Sequence, residues 1–198
     1  MNSTYLLQVY LASEQWQLDG HSWYIRANKF AAGLASECSQ TLDTTCAVIS
    51  ALSPGITWFQ NQVIARQLCL ASVGQFGSLP DSFPLRGAYR RNANKAWRML
   101  HGSVPNKEMN PVSGPKTFCF WKNLVDPASA EHVTIDRHAA AIARGQTVTK
   151  QVSITPCQYL ALADCYRQAA RQIGVIPCQL QATVWLSHRD HYQQSLFT

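Results

Sequence analysis

The 198-residue chain has no Cys-x-x-Cys pair, no apolar run long enough to span a bilayer, and few acidic residues. Each shortage excludes something. The seven cysteines, at 38, 46, 69, 119, 157, 165 and 178, are irregularly spaced. They offer no recognisable ligand set for zinc or an iron-sulfur cluster, so neither a metal nor another cofactor is expected. Several sit inside apolar helical patterns, where cysteine behaves as a small hydrophobe, and a reducing, cytoplasmic protein without disulfides is expected. The first residues, "MNSTYLLQVYLASEQWQLDG", lack the basic segment and continuous apolar run of an export signal. Without about eighteen consecutive apolar residues anywhere, no membrane partner is expected either. Acidic residues number 11 against 17 basic ones, a net charge of +6. The imbalance is sharpest between Arg86 and Lys122, where Arg86, Arg90, Arg91, Lys95, Arg98, Lys107, Lys116 and Lys122 stand against Glu108 alone. A polyanionic partner and a merely solvated basic face both fit that charge.

What the chain does have is helical periodicity. With 46% hydrophobic residues it can bury a core as one domain or as two small lobes sharing a cleft. "SWYIRANKFAAGLASEC" reads as an amphipathic helix starting near a Ser22 cap, and "DTTCAVISAL" runs apolar into Ser53-Pro54-Gly55, which should turn the chain. "TWFQNQVIARQLCLAS" resumes the helical pattern, and "AYRRNANKAWRMLHG" reads as a helix with a basic face. After the three-proline connector "SVPNKEMNPVSGPK", Pro115 is placed to open the helix "PKTFCFWKNLV". "DPASAEHV" reads as a loop, and "TIDRHAAAIARG" as a helix opened by its own polar residues. Two further helices, "TPCQYLALADCYRQAARQIG" and "IPCQLQATVWLSHRDHYQQ", each begin at a proline. The fold class expected is all-α.

Two features suggest chemistry. In "PVSGPKTF" a tight turn leads into a helix start, where clustered N–H groups and the helix dipole suit phosphate. The plain alternative is a helix-to-helix corner with a solvated Lys116. Twenty positions later, Asp136 stands near the start of the next helix in "VTIDRHAAAIARG", where a carboxylate can also be a simple cap. Together with the upstream "CAVISALSP" and "NANKAWRML" helices, this order resembles the helix-hairpin-helix superfamily of DNA glycosylases. There the hairpin commonly reads Leu-Pro-Gly-Val-Gly-x-Lys-Thr-Ala, followed about twenty residues later by Val-Asp-Thr-His. The resemblance puts Gly114 at the second hairpin glycine, Lys116 at the lysine of the bifunctional members, Thr117 at the threonine after it, Asp136 at the catalytic aspartate and His138 at the motif histidine. Val112 replaces the first glycine, Pro115 follows the second, and the cysteine-ligated iron-sulfur loop is absent. The patterns "WYxxA" at Trp23-Tyr24, "ALSPxxxW" from Ser53-Pro54 to Trp58 with Asn61, "QYxALADxYRxAA" at Gln158-Tyr159, and "PxQLQAxxW" from Gln179 to Trp185 look like a phage and bacterial branch of that superfamily. That branch is related to enzymes that process modified thymines or excise bulky phage bases.

The resemblance implies a single glycosylase domain over residues 1–198, with one helical lobe from 1–45 and 146–198, the other from 46–145 holding a hairpin at 105–122, and a cleft between them. It implies a monomer that flips a modified base, such as a bulky phage-type pyrimidine, out of double-stranded DNA and excises it, in phage defence or base repair. Asp136 would stabilise the cationic sugar and orient water or Lys116 for attack at C1′; Lys116 would either form a Schiff base and cut the strand or contact phosphate. Tyr24, Trp58 and Asn61 are the candidate base pocket, because an aromatic face stacks on a base and an amide pairs with its edge; packing competes for all three. Trp23 and Trp185 are assigned to the core. Gly114, Thr117, Arg90, Arg91, Lys95, Lys107, Arg137 and His138 are candidate DNA contacts, His138 also as a brace for the Asp136 loop. The alternatives are an enzyme that modifies a thymine derivative while keeping its glycosidic bond, and a non-catalytic DNA-binding module.

Overall fold

The structure, a computed structural model, describes residues 3–75, 77–103, 105–111, 114–146 and 153–194, with side chains up to residue 189. Among these residues the chain is all-α, with no strand. The helices are α1 (Ser3–Ala12), α2 (Glu14–Glu37), α3 (Leu42–Leu52), α4 (Trp58–Ser72), α5 (Arg90–Leu100), α6 (Pro105–Glu108), α7 (Pro115–Val125), α8 (Arg137–Arg144), α9 (Pro156–Ile173) and α10 (Pro177–Gln194). They form two compact units, Met1–Arg26 with Asp126–Thr198, and Ala27–Val125. The chain passes between units at 26/27 and 125/126, earlier than the 45/46 and 145/146 read from the sequence. The second half of α2 belongs with α3 to α7, and α8 packs on α9 and α10. Asp136 therefore lies in the first unit and Lys116 in the second.

In the first unit, α1 packs on α8, α9 and α10, and the last two pack on each other. Leu6, Tyr166, Leu162 and Leu180 fill its core. The first residues, read only as lacking an export signal, are helical, and α2 begins eight residues before Ser22. Ser22 is not a cap: its hydroxyl donates to the Leu18 carbonyl at 2.8 Å, one turn back within a continuing helix. Gly20 explains how α2 reaches α10, since a Cβ there would lie 2.1 Å from Thr183 Oγ1 and 2.6 Å from Thr183 Cα. Only a residue without a side chain admits that approach.

The second unit is built around α3, which is largely apolar and buried continuously from Thr45 to Leu52. It packs against α4, α5, α6 and α7. Thr41 opens α3 by accepting the Thr44 N–H at 3.0 Å, and Ser53-Pro54-Gly55 ends it, as expected. Gly55 takes φ +84°, and a Cβ there would come 3.0 Å from the Tyr89 ring, so both the turn and the close approach need glycine. Thr57 and Gln60 form a reciprocal capping box that restarts the chain as α4. From α7, the fully buried Trp121 donates its indole N–H to the Asp43 carbonyl at 3.2 Å, and Asn28 donates to the Leu124 carbonyl at 2.7 Å near the end of α7.

Candidate functional site

Asp136 is the most elaborately held carboxylate in the first unit. The residues before it, Val133, Thr134 and Ile135, are buried and lie outside any helix, so their backbone groups need partners from elsewhere. Tyr159 of α9 takes that part: its hydroxyl donates to the Val133 carbonyl at 2.7 Å and accepts the Ile135 N–H at 3.0 Å. Asp136 follows as the N-cap of α8. Its Oδ1 accepts the Ala139 N–H at 2.8 Å and its Oδ2 accepts the Trp185 indole N–H at 3.0 Å. Both partners are donors, an arrangement that suits the ionised carboxylate, and the start of α8 adds its dipole. Tyr166, fully buried, donates to the Ala139 carbonyl at 2.9 Å. Burial first, and then the Asp136 charge, push its phenol well above the ordinary range, so it stays a donor. Asp136 itself is half-buried, so the carboxylate is fixed without being sealed off.

Around this carboxylate, Trp185 carries the Arg189 guanidinium 5.1 Å from its ring centroid and meets the His138 ring edge-on at 6.3 Å. Trp185 was expected in the core; it is half-buried and spends its one donor on Asp136, because a tryptophan N–H taken from water needs an acceptor. His138 lies 5.9 Å from the His188 ring and accepts from Arg137 Nε at 3.4 Å. Burial holds its pKa below the ordinary histidine value; Arg137, His188 and Arg189 act in the same direction and Asp136 opposes them. A half-buried His138 thus sits between the Trp185 and His188 rings. Arg137 is exposed. Tyr24 also belongs to this unit but corrects the pocket expectation: it is only 4% exposed, with its hydroxyl donating to Gln181 Oε1 at 3.1 Å and its ring edge-on to Trp23. A ring so enclosed offers no face to a base.

In the second unit, the turn before α7 uses up donors that the sequence reading left for phosphate. Gly114 donates its N–H to the Asn110 carbonyl at 2.9 Å, and Pro115 has none. The Gly114 carbonyl accepts both the Phe118 N–H at 3.0 Å and the Thr117 hydroxyl at 3.0 Å. Thr117 is further committed through its carbonyl, which accepts from the buried Ser50 at 2.6 Å. Val112, at the first hairpin glycine, lies outside the described residues. Lys116 is half-buried at the second position of α7, and no hydrogen bond or ion pair holds its ammonium among the described residues of its unit.

The remaining candidates divide by what already occupies them. Arg90 donates to the Pro80 carbonyl at 3.0 Å and the Asp81 carbonyl at 2.6 Å, so it pins its own loop and is not a free phosphate contact. Arg91 is exposed, its guanidinium 5.6 Å from the Tyr89 ring centroid, and Lys107 is exposed on α6. Lys95 is half-buried. It adds to the field that lowers the Glu108 pKa, after the larger hydrogen bonds from Arg98 and Ser103. Asn61 is 2% exposed and donates to the Ile49 carbonyl at 2.9 Å, capping the end of α3, so its amide nitrogen is already committed within the fold. Trp58 is half-buried, edge-on to Phe30 at 6.0 Å.

Among the described residues no three His, Cys, Asp or Glu side chains converge as a metal site, and no helix is long and apolar enough to cross a membrane. No curated protein and no solved structure matches the chain. Residues 3–192 match a family of unknown function, DUF7178, and over that span, nearly its whole length, the chain belongs to this family.

Proposed function

We propose that the protein is a DNA N-glycosylase that excises a modified base, an enlarged phage-type pyrimidine, as part of phage defence or base repair. The observation that carries the reading is the setting of Asp136: a half-buried carboxylate with both oxygens held by the Ala139 and Trp185 N–H groups, on backbone pinned by Tyr159 and Tyr166. A fixed anion costs no reorganisation when positive charge develops beside it, which is what an oxocarbenium-like sugar requires. In the reaction, the bond between C1′ and the base nitrogen breaks and its electron pair leaves with the base. Water oriented by Asp136 adds to C1′, and its proton balances the departing base. The basic segment from Arg86 to Lys122 supports DNA as the polyanion, with Arg91 and Lys107 exposed for phosphate.

Lys116 adds one of two contributions. As a nucleophile it would form a Schiff base with the opened sugar and lead to strand cleavage; as a cation it would hold a phosphate and leave the strand whole. The test is incubation of the folded protein with genomic DNA carrying enlarged pyrimidines, followed by titration of abasic sites. The proposal expects abasic sites with wild-type protein and none with Asp136→Asn, which still binds the DNA. A nucleotide of changed mass with its glycosidic bond intact would indicate a modifying enzyme instead, and binding without any product a DNA-binding module. Borohydride trapping of a covalent adduct, lost in Lys116→Ala, would identify the nucleophile.

A further inference from the structure

In the second unit the turn after α3 and the loop before α5 lie against each other. A Cβ on Gly55 would sit 3.0 Å from Tyr89 Cε2 and 3.2 Å from its hydroxyl, and one on Gly87 would sit 3.8 Å from Ile56 Cγ2. This apposition brings the first turn of α4 and the start of α5 to one edge of the unit. Phe59 in that first turn of α4 and Tyr89 at the start of α5 are both in the open, at 75% and 52% exposure. The exposed Arg91 lies over the Tyr89 ring, and the exposed Arg86 stands just before Gly87, on backbone with φ +47°.

A single exposed apolar residue needs no explanation, but two aromatics with a guanidinium stacked on one of them are an uncommon use of surface. We infer that Phe59, Tyr89 and Arg91 form a stacking surface for unpaired bases of a DNA strand. Charge selects this occupant. The exposed Arg86 and Arg91 stand at this edge, within a stretch from Arg86 to Lys122 that holds eight cations and one acidic residue, so the partner it favours is acidic. Among acidic polymers, a nucleic-acid strand pairs each negative charge with a flat π face, which is what an aromatic and an arginine plane accept. The Gly55 contact holds one edge of Tyr89, so part of the platform is ordered before the strand arrives. The inference rests on DNA as the partner, and it is independent of any reaction at Asp136.

Fluorescence anisotropy with a labelled single-stranded DNA oligonucleotide tests it, with 2-aminopurine in the strand reporting stacking. Wild-type protein should bind and quench the 2-aminopurine. Phe59→Ala and Tyr89→Ala should each weaken binding by about five- to 150-fold, the range for one base on one aromatic, and should reduce the quenching. The salt dependence of binding should be the same in both, because no charge is removed. Arg91→Ala should lower the salt slope by about one. Phe59→Trp should bind as wild type does. Because Phe59 projects outward, its alanine variant should melt as wild type does, which keeps the test decisive should Tyr89→Ala disturb the Gly55 turn. Wild-type-like binding and quenching by folded Phe59→Ala and Tyr89→Ala would overturn the stacking surface while leaving DNA as the partner. A wild-type protein that binds no DNA, or prefers the matching RNA, would overturn both.

Discussion

At the scale of single residues, the setting of Asp136 depends on one indole N–H. Trp185→Phe would keep a ring beneath Arg189 but withdraw the donor from Asp136 Oδ2. A hydrogen bond to a charged group is worth about 1.5–3 kcal/mol, so under the proposed glycosylase reading turnover should fall about tenfold or more while DNA affinity stays near wild type. Steady-state kinetics alongside a binding titration separate the two. Asn61 makes a different point. Its amide was read as a contact for a base edge, but it answers the Ile49 carbonyl that the Ser53-Pro54 turn leaves open. Asn61→Ala should therefore cost roughly 1–3 kcal/mol in a denaturant titration, the penalty for a buried acceptor without its donor. A polar residue three positions into a helix looks the same in sequence whether it faces a ligand or the end of the preceding helix. Asp136 stands out in the sequence because its spacing and neighbours form a pattern, and its place as the cap of α8 was legible there. Trp185 was visible only as the end of "PxQLQAxxW", with nothing in the string to say what its N–H meets.

At the scale of elements, periodicity and caps made most helices readable. Thr57 with Gln60, Thr155 with Gln158, and the Ser53-Pro54-Gly55 stop all lie where their residue types place them. The start of α2 was not readable, because Ser22 has the composition of a cap while its hydroxyl bonds back along a helix already formed. Gly20 shows the reverse case, a poor helix former kept inside a helix by a tertiary approach. Gly20→Ala gains about 1 kcal/mol of helix propensity but drives a methyl into Thr183, and overpacking of this kind costs roughly 1–3 kcal/mol. A lowered melting temperature is expected despite the better helix former. The α9 pattern "QYxALADxY" acquires its meaning here as well. Gln158 closes the cap of α9, Tyr159 clamps the segment before Asp136, and Tyr166 clamps the turn after it. Tyr159→Phe removes a donor and an acceptor from buried backbone, and should destabilise the first unit by about 1–3 kcal/mol for each bond lost.

At the scale of the whole molecule, the all-α class followed from the 3.6-residue periodicity and the scarcity of alternating runs. The division of the chain did not, because the α2 pattern runs unbroken from one unit into the other and no composition change marks 26/27. Stability should respond to pH through His138. Its folded pKa lies below the ordinary value of 6.5, so near neutrality the ring is uncharged whether folded or not. As the pH falls below about 6.5 the unfolded imidazole takes a proton first, and stability declines until the folded value is passed. Melting temperatures should therefore drop below that pH, and drop less in His138→Gln. The central claim is that Asp136 serves glycosidic bond cleavage in DNA, and mass spectrometry of the small molecules released from enlarged-pyrimidine DNA tests it most directly. A free modified base released by wild-type protein and absent with Asp136→Asn is the predicted result; no free base from any modified or damaged duplex with folded protein, or equal release by Asp136→Asn, would contradict it.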